Sequence, residues 1–290
     1  MNGPFARSLL ARTARKLHSA GWCANHDGNA SIRIGKDRFL CTPTAVSKAD
    51  VDESMLIVVD GTGQVVEGTR RAFGELELHL AVYRARPDAQ AVLHAHPPFA
   101  TAFGVAGVSL EVSVLPEVLV SLGPGVPTVP LSLPKSPELV RGVEEAAKKS
   151  HAFLVAGNGA LALGVDLEQA YLRLELVEHY AKVVHLARQL GSVKELSGEQ
   201  QKKMLEARAK AGLEPPGVQS WASGPVPVKA PSPIVKTPAA FAARPAGAPP
   251  STDFDAIAER VARQLDGRTP AEGELKKLIA DEIHAALAGA

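Results

Sequence analysis

His94 and His96 flank a single alanine at the end of the apolar run Ala91-Val92-Leu93. On extended backbone, residues two apart project to one face, so two imidazoles at this spacing can bind one metal ion. Zinc favours such nitrogen ligands. Pro97 and Pro98 follow at once and prevent the strand from continuing as a ladder, which places the pair at a sheet edge. The alternative for the same pair is two strand-end histidines hydrogen-bonded to their neighbours. Glu75 opens a helical pattern one turn before His79, where the helix dipole favours a carboxylate. Gly28-Asn29-Ala30-Ser31 precedes a strand and reads either as a turn or as a loop whose amide and hydroxyl touch a substrate. Thr42-Pro43-Thr44, at the end of a hairpin, has the same two readings.

Alternating strands and helices position these groups. Residues 30–34 and 38–41 form a hairpin around Gly35-Lys36-Asp37, and residues 56–59 form a third strand before the Gly61/Gly63 turn and Val65-Val66. A helix over 75–86 stops before Pro87, and a strand over 91–94 runs into the histidines. Residues 137–149 are helical, 152–155 and 160–163 are strands, and 166–190 make a long helix. Hairpins combined with helices predict a mixed or antiparallel sheet with helical layers, so residues 1–195 are expected to form one soluble α/β domain. Its functional centre is His94, His96 and Glu75.

The ordered set Gly28-Asn29-Ala30-Ser31, Thr42-Pro43-Thr44, Glu75 with His79, Tyr83-Arg84-Ala85-Arg86-Pro87-Asp88, Ala91-Val92-Leu93-His94-Ala95-His96 and Leu161-Ala162-Leu163-Gly164 resembles the class II aldolase/adducin family, which includes the fuculose-phosphate and rhamnulose-phosphate aldolases. The resemblance runs from about residue 5 to residue 192. It implies a three-layer α/β/α fold, commonly a homotetramer with active sites between subunits. It also implies Zn2+ or another divalent metal held by His94 and His96, Glu75 as catalytic acid/base, and substrate contacts from Asn29, Thr44 and Gly74. The implied reaction is aldol cleavage or formation on a small sugar, sugar phosphate or hydroxy-aldehyde through an enediolate. Epimerase, decarboxylase and dehydratase chemistry, or a catalytically impaired adducin-like interaction protein, are the alternatives on the same scaffold.

The chain departs from that pattern at several positions. The third metal histidine reads Asn158, whose amide oxygen is a weaker zinc ligand than imidazole. Glu75 is one group that could complete the coordination. The family's Pro-Ser-Ser reads Ala72-Phe73-Gly74, which removes two hydroxyl donors and argues for an unphosphorylated substrate or a phosphate held elsewhere. Ala45 stands where a glycine is usual, and Leu131 where many members carry tyrosine.

Bulk properties bound the rest. The chain has 290 residues, is 46% hydrophobic and 22% charged, and carries a formal charge of +1. That balance fits a globular protein and gives no electrostatic reason for nucleic-acid binding. No run approaches the roughly 18–20 apolar residues of a membrane span. Cys23 and Cys41 are too few for a disulfide framework and read as reduced thiols in the cytoplasm. Arg7, Arg12, Arg15 and Lys16 resemble a transit peptide weakly; an amphipathic first helix with Phe5, Leu9, Leu10 and Leu17 on one face is the preferred reading.

Residues 196–212 read as a helical extension. Ten of the chain's 22 prolines fall between Glu214 and Thr252, so residues 213–252 read as an extended, unfolded linker. Phe254, Ile257, Ala258, Val261 and Leu265 then recur at helical spacing, and Thr269-Pro270-Ala271-Glu272 is a capping box. Residues 253–290 thus read as an amphipathic tail, either a tethered docking element or an accessory helical hairpin packed on the domain. The tail resembles the encapsulation peptides that direct enzymes into bacterial microcompartments, which implies a shell or other cargo as partner.

Overall fold

The computed structural model describes residues 3–217 and residue 281. The tail helices and the microcompartment signal inferred above, and most of the 213–252 linker, lie outside the described residues. In chain order the elements are α1 (Gly3–Ser19), β1 (Asn29–Gly35), β2 (Arg38–Cys41), β3 (Ile57–Val59), β4 (Val65–Glu67), α2 (Leu76–Ala85), β5 (Ala91–Ala95), α3 (Pro98–Ala106), α4 (Pro116–Ser121), β6 (Thr128–Val129), α5 (Pro137–Lys149), β7 (Ala152–Val155), β8 (Ala160–Gly164), α6 (Leu167–Leu190) and α7 (Gly198–Lys210). The strands form one sheet in the order β4-β3-β2-β1-β5-β8-β7-β6. Every pairing is antiparallel except β6 with β7, so the sheet is mixed.

Strand alternation separates two cores. Ala91, Leu93 and Ala95 of β5 pack with residues of α1, α3, α4 and α6, whereas Val92 packs with those of α2 and α5. Both faces of the sheet are therefore covered, giving three layers. The long helix α6 starts at Asp166, whose side chain accepts from the Gln169 N–H, and ends at Gly191. Its buried stripe includes Ala170, Leu174, Val177, Ala181 and Val184. The first helix differs from the sequence reading in one respect. Its buried face is Ala6, Leu10, Ala14 and Leu17, while Phe5 is exposed. At 100° per residue Phe5 stands about 120° around the helix from Leu17, outside one apolar stripe.

The helical extension after α6 folds back. Ser197 and Gln200 close a full capping box at the start of α7, and α7 packs on α4. Beyond it, the Leu213 carbonyl accepts a hydrogen bond from His151 Nε2 at 2.8 Å, and Pro215 is buried.

Arg86 closes the far end of α2. Two of its nitrogens donate to the two oxygens of Asp88, at 2.8 and 2.7 Å, and a third donates to the Ala147 carbonyl at 3.0 Å. The guanidinium hydrogen bonds hold the Asp88 carboxyl below its ordinary value. A group depressed in this way stabilises the fold above its unfolded pKa of about 4 and loses that contribution as pH falls through the folded value. Asp88→Asn is expected to lower the urea midpoint at pH 7. The gap from wild type should narrow below about pH 4 and close once Asp88 is protonated in both states. A gap that does not depend on pH would assign the effect to packing.

Candidate active site

β5 carries His94 on the face that α2 covers, and α2 begins at Glu75, so one layer boundary brings the two together. Asn29 is the cross-strand partner of His94. Directly paired residues of neighbouring strands project to the same side, and the Asn29 amide nitrogen donates to Glu75 Oε2 at 3.0 Å. Glu75 Oε1 lies 3.9 Å from His94 Nε2. Although Glu75 occupies the N-cap position of α2, its side chain makes no capping hydrogen bond, so its carboxylate is turned to the site.

His94 is fully buried. Its Nδ1 stands 3.2 Å from the Ala160 carbonyl. A carbonyl can only accept, so Nδ1 carries the proton and Nε2 keeps its lone pair. Burial lowers the His94 pKa, with Glu75 opposing and His96 reinforcing the shift, and the ring is neutral at pH 7. His96 follows the strand end, its N–H held by the Trp22 carbonyl at 2.9 Å. Its Nε2 lies 3.2 Å from His94 Nε2.

This donor set suits a divalent metal. Two imidazole nitrogens sharing one tetrahedral zinc stand roughly 3.3 Å apart, given zinc–nitrogen distances of about 2.0–2.1 Å. The donation from His94 Nδ1–H to the Ala160 carbonyl is the kind of contact that orients a metal-binding histidine. Among the described residues, no group of three or more His, Cys, Asp or Glu side chains is gathered at metal-binding range. Two imidazoles are in place and Glu75 stands just outside them.

The remaining candidates are placed as follows. Asn158 lies half-buried on the turn between β7 and β8, with its N–H on the Val155 carbonyl at 2.8 Å. Among the described residues no hydrogen bond joins its side chain to either imidazole. Gly159, next to it, packs directly on His96. Thr44 is half-buried, and its N–H meets the Arg71 carbonyl at 3.1 Å. Gly74 is exposed, with open space where a Cβ would project. Phe73 turns inward, its ring edge against His79, so the segment with two fewer hydroxyls now anchors α2 to the core.

Two readings of the loops are corrected. Ser31 does not face a substrate: it is fully buried, with Oγ 2.7 Å from His79 Nδ1 and 2.9 Å from the Tyr83 hydroxyl. Thr42 is likewise internal, its hydroxyl accepting from the Ala30 N–H at 3.1 Å. Both polar groups hold β1 to its neighbours. Ala45 adopts φ 56°, the left-handed region that favours glycine. A Cβ there costs about 1–2 kcal/mol. Ala45→Gly is expected to raise stability by about 1 kcal/mol, read from urea midpoints.

Lys48 was not singled out in the sequence. It is 1% exposed, and its ammonium donates to the carbonyls of His26 and Val46, both at 3.0 Å. It thereby stitches the loop before Asn29 to the loop after Thr44. Burial lowers its pKa, while Cys23, Asp27 and Glu75 oppose the shift. A lone lysine in a loop carries no local signal of burial.

Two histidines and a nearby carboxylate thus meet at a strand end of a three-layer α/β fold. Residues 8–185 match the model of the class II aldolase and adducin N-terminal domain, and the chain belongs to that family. It is similar to the 3-oxo-tetronate 4-phosphate decarboxylase of Escherichia coli strain K12, 28% identical over 184 residues, spanning 62% of this chain and 86% of that one. It is also similar to the L-fuculose phosphate aldolase of the same strain, 31% identical over 181 residues, spanning 61% and 83%. Among solved structures, an L-fuculose 1-phosphate aldolase superimposes with a TM-score of 0.65 at 28% identity, covering 71% of this chain and 96% of the other. YgbL from Escherichia coli does so with 0.64 at 26%, covering 72% and 100%. The family match ends before the tail, so the microcompartment reading has no support from it. Among the described residues no helix is long and apolar enough to cross a membrane.

Proposed function

We propose that the chain is a metal-dependent carbon–carbon lyase acting on a small hydroxy-carbonyl compound, a sugar or a sugar phosphate. The observation that carries this reading is the convergence of His94 Nε2 and His96 Nε2 at 3.2 Å, with Glu75 Oε1 3.9 Å from the first. When bound between the imidazoles, zinc or another divalent ion would supply Lewis-acid polarisation of a carbonyl oxygen. His94 presents a lone pair because the Ala160 carbonyl holds its other nitrogen. Asn29 fixes one oxygen of Glu75 and leaves the other facing the histidines. That oxygen is placed to take a proton from a substrate hydroxyl or carbon and to return it, as a general acid/base. Cleavage leaves the electron pair of the broken carbon–carbon bond as an enediolate, and the proton then passes to carbon.

A second reading, decarboxylation, has its own support in the resemblance to the tetronate-phosphate decarboxylases. Loss of CO2 and loss of an aldehyde both leave an enediolate, so the same groups serve either reaction. The Ala72-Phe73-Gly74 segment lacks hydroxyl donors, which favours a substrate whose anionic group, if present, is held elsewhere. Leu131 and Leu133 are 76% and 79% exposed, and Leu131 abuts Gly157 on the turn bearing Asn158. This apolar edge supports assembly as a homotetramer with sites near subunit boundaries.

Metal content and turnover test the proposal together. Protein purified without chelators is expected to hold about one divalent ion per chain, lost in a His94→Ala/His96→Ala double variant. It should also cleave at least one member of a panel of ketose phosphates, free hydroxy-ketones and 3-oxo acids, with CO2 release separating the two readings. Absence of metal after zinc, manganese and cobalt are each supplied, with no turnover, would favour an adducin-like binding protein.

A further inference from the structure

α2 is ten residues long, so its two ends lie about 15 Å apart. Glu75 and the histidines occupy one end. At the other end a separate cavity of about 160 Å³ opens among Arg86, Asp88, His151, Arg173, Leu213 and Glu214. Its walls come from the turn after α2, the residue before β7, the end of β8, α6 and the chain after α7, so the cavity requires the segment that follows the family domain.

The charge on these walls is unusual for so buried a place. Arg86, Arg173 and His151 are 3%, 8% and 4% exposed. Arg208 of α7 lies behind them at 1% exposed. Arg86 is satisfied by Asp88 and Ala147. Arg173 donates to the Leu163 carbonyl at 2.6 Å and makes no second hydrogen bond among the described residues. Arg208 donates one N–H to the Val120 carbonyl at 2.7 Å, and its Nε is buried without a partner. Glu214 Oε1 is also buried without a partner, although its charge acts on Arg208. Arg86 and Arg173 thus line the cavity together with Asp88 and Glu214, and Arg208 lies behind them. Buried guanidiniums are normally met by bidentate oxyanions, yet among the described residues Arg173 and Arg208 each have a single hydrogen bond, to a backbone carbonyl.

We propose that this cavity binds a phosphate-sized oxyanion, either inorganic phosphate or the phosphate of a small ester. Arg173 is its principal donor, and the Glu214 carboxylate, which also lines the cavity, competes with the anion. The site is distinct from the histidine centre and draws its outer wall from Leu213 and Glu214.

Isothermal titration of the full chain with inorganic phosphate, and separately with glycerol phosphate, at fixed ionic strength tests this. Arg173→Gln should weaken binding at least about tenfold, because a charge-assisted pair is lost. Glu214→Gln removes the competing carboxylate and should tighten binding by about fivefold or more. The His94→Ala/His96→Ala variant should bind as wild type does. Binding of phosphate alone identifies the free ion as ligand, and binding of both admits an ester. Should Arg173→Gln fail to fold, Glu214→Gln still decides. Equal affinity of Glu214→Gln and wild type, no heat from Glu214→Gln at about 20 mM ligand, or loss of binding in the histidine variant would overturn the proposal.

Discussion

Glu75→Gln is expected to lower kcat by about 10²–10⁴-fold, the range for loss of a general acid/base. The substitution keeps the shape of the side chain, and the new amide oxygen can still accept from Asn29. The N-cap backbone of α2 is unaffected because Glu75 makes no capping bond with its side chain. Melting temperature should therefore change little. Metal content divides the possible roles of the carboxylate. Retention of the ion with loss of turnover makes Glu75 the proton carrier. Loss of both makes it the third ligand in place of Asn158. Turnover close to wild type would remove Glu75 from the mechanism.

Gly159→Ala should destabilise the fold and open the metal centre in one step. Gly159 has φ +71°, and a Cβ there would stand 2.2 Å from the Ala95 carbonyl oxygen and 2.7 Å from His96 Cδ2. The left-handed backbone costs about 1–2 kcal/mol with a side chain, and overpacking adds about 1–3 kcal/mol. The expected loss is about 2–5 kcal/mol by urea unfolding, with weaker metal retention because His96 must move. Gly157→Ala provides the comparison. It has the same φ, yet its Cβ would meet only the Leu131 Cδ1 atom, at 2.9 Å, on an exposed and movable side chain. It should show the backbone cost alone and keep the metal. Equal behaviour of the two variants would show that His96 does not depend on the close approach of Gly159.

Most of the architecture was legible because it rests on local patterns. Apolar runs bounded by turn residues, such as Gly35-Lys36-Asp37 and Gly61/Gly63, marked the strands, and Pro87 marked the end of α2. The reading failed where a face had to be chosen. Phe5 shares an apolar face of α1 with Leu9, Leu10 and Leu17 in the linear pattern, yet it is exposed, because the contact face of α1 is set by the sheet beneath it. Gly28-Asn29-Ala30-Ser31 reads equally as a turn or as a substrate loop, and strand alternation aims Ser31 at His79 and Tyr83 in the core. Burial of a hydroxyl becomes favourable only when distant partners satisfy it, and the linear order does not show those partners.

The sequence by itself determined the His-x-His pair, the proline stop behind it and the glycines of the Gly157-Asn158-Gly159 turn, because each is a property of neighbouring residues. Tertiary structure alone decided that Asn29 holds Glu75, that the Ala160 carbonyl sets the His94 tautomer and that Lys48 joins two loops. It alone also brought Arg86 and Arg173 to one cavity, with Arg208 behind them. These contacts span 46 residues for Asn29 and Glu75, 66 for His94 and Ala160, and 22 for Lys48 and His26. Each depends on the order in which the strands pair, and that order is settled only when both faces of the sheet are buried at once.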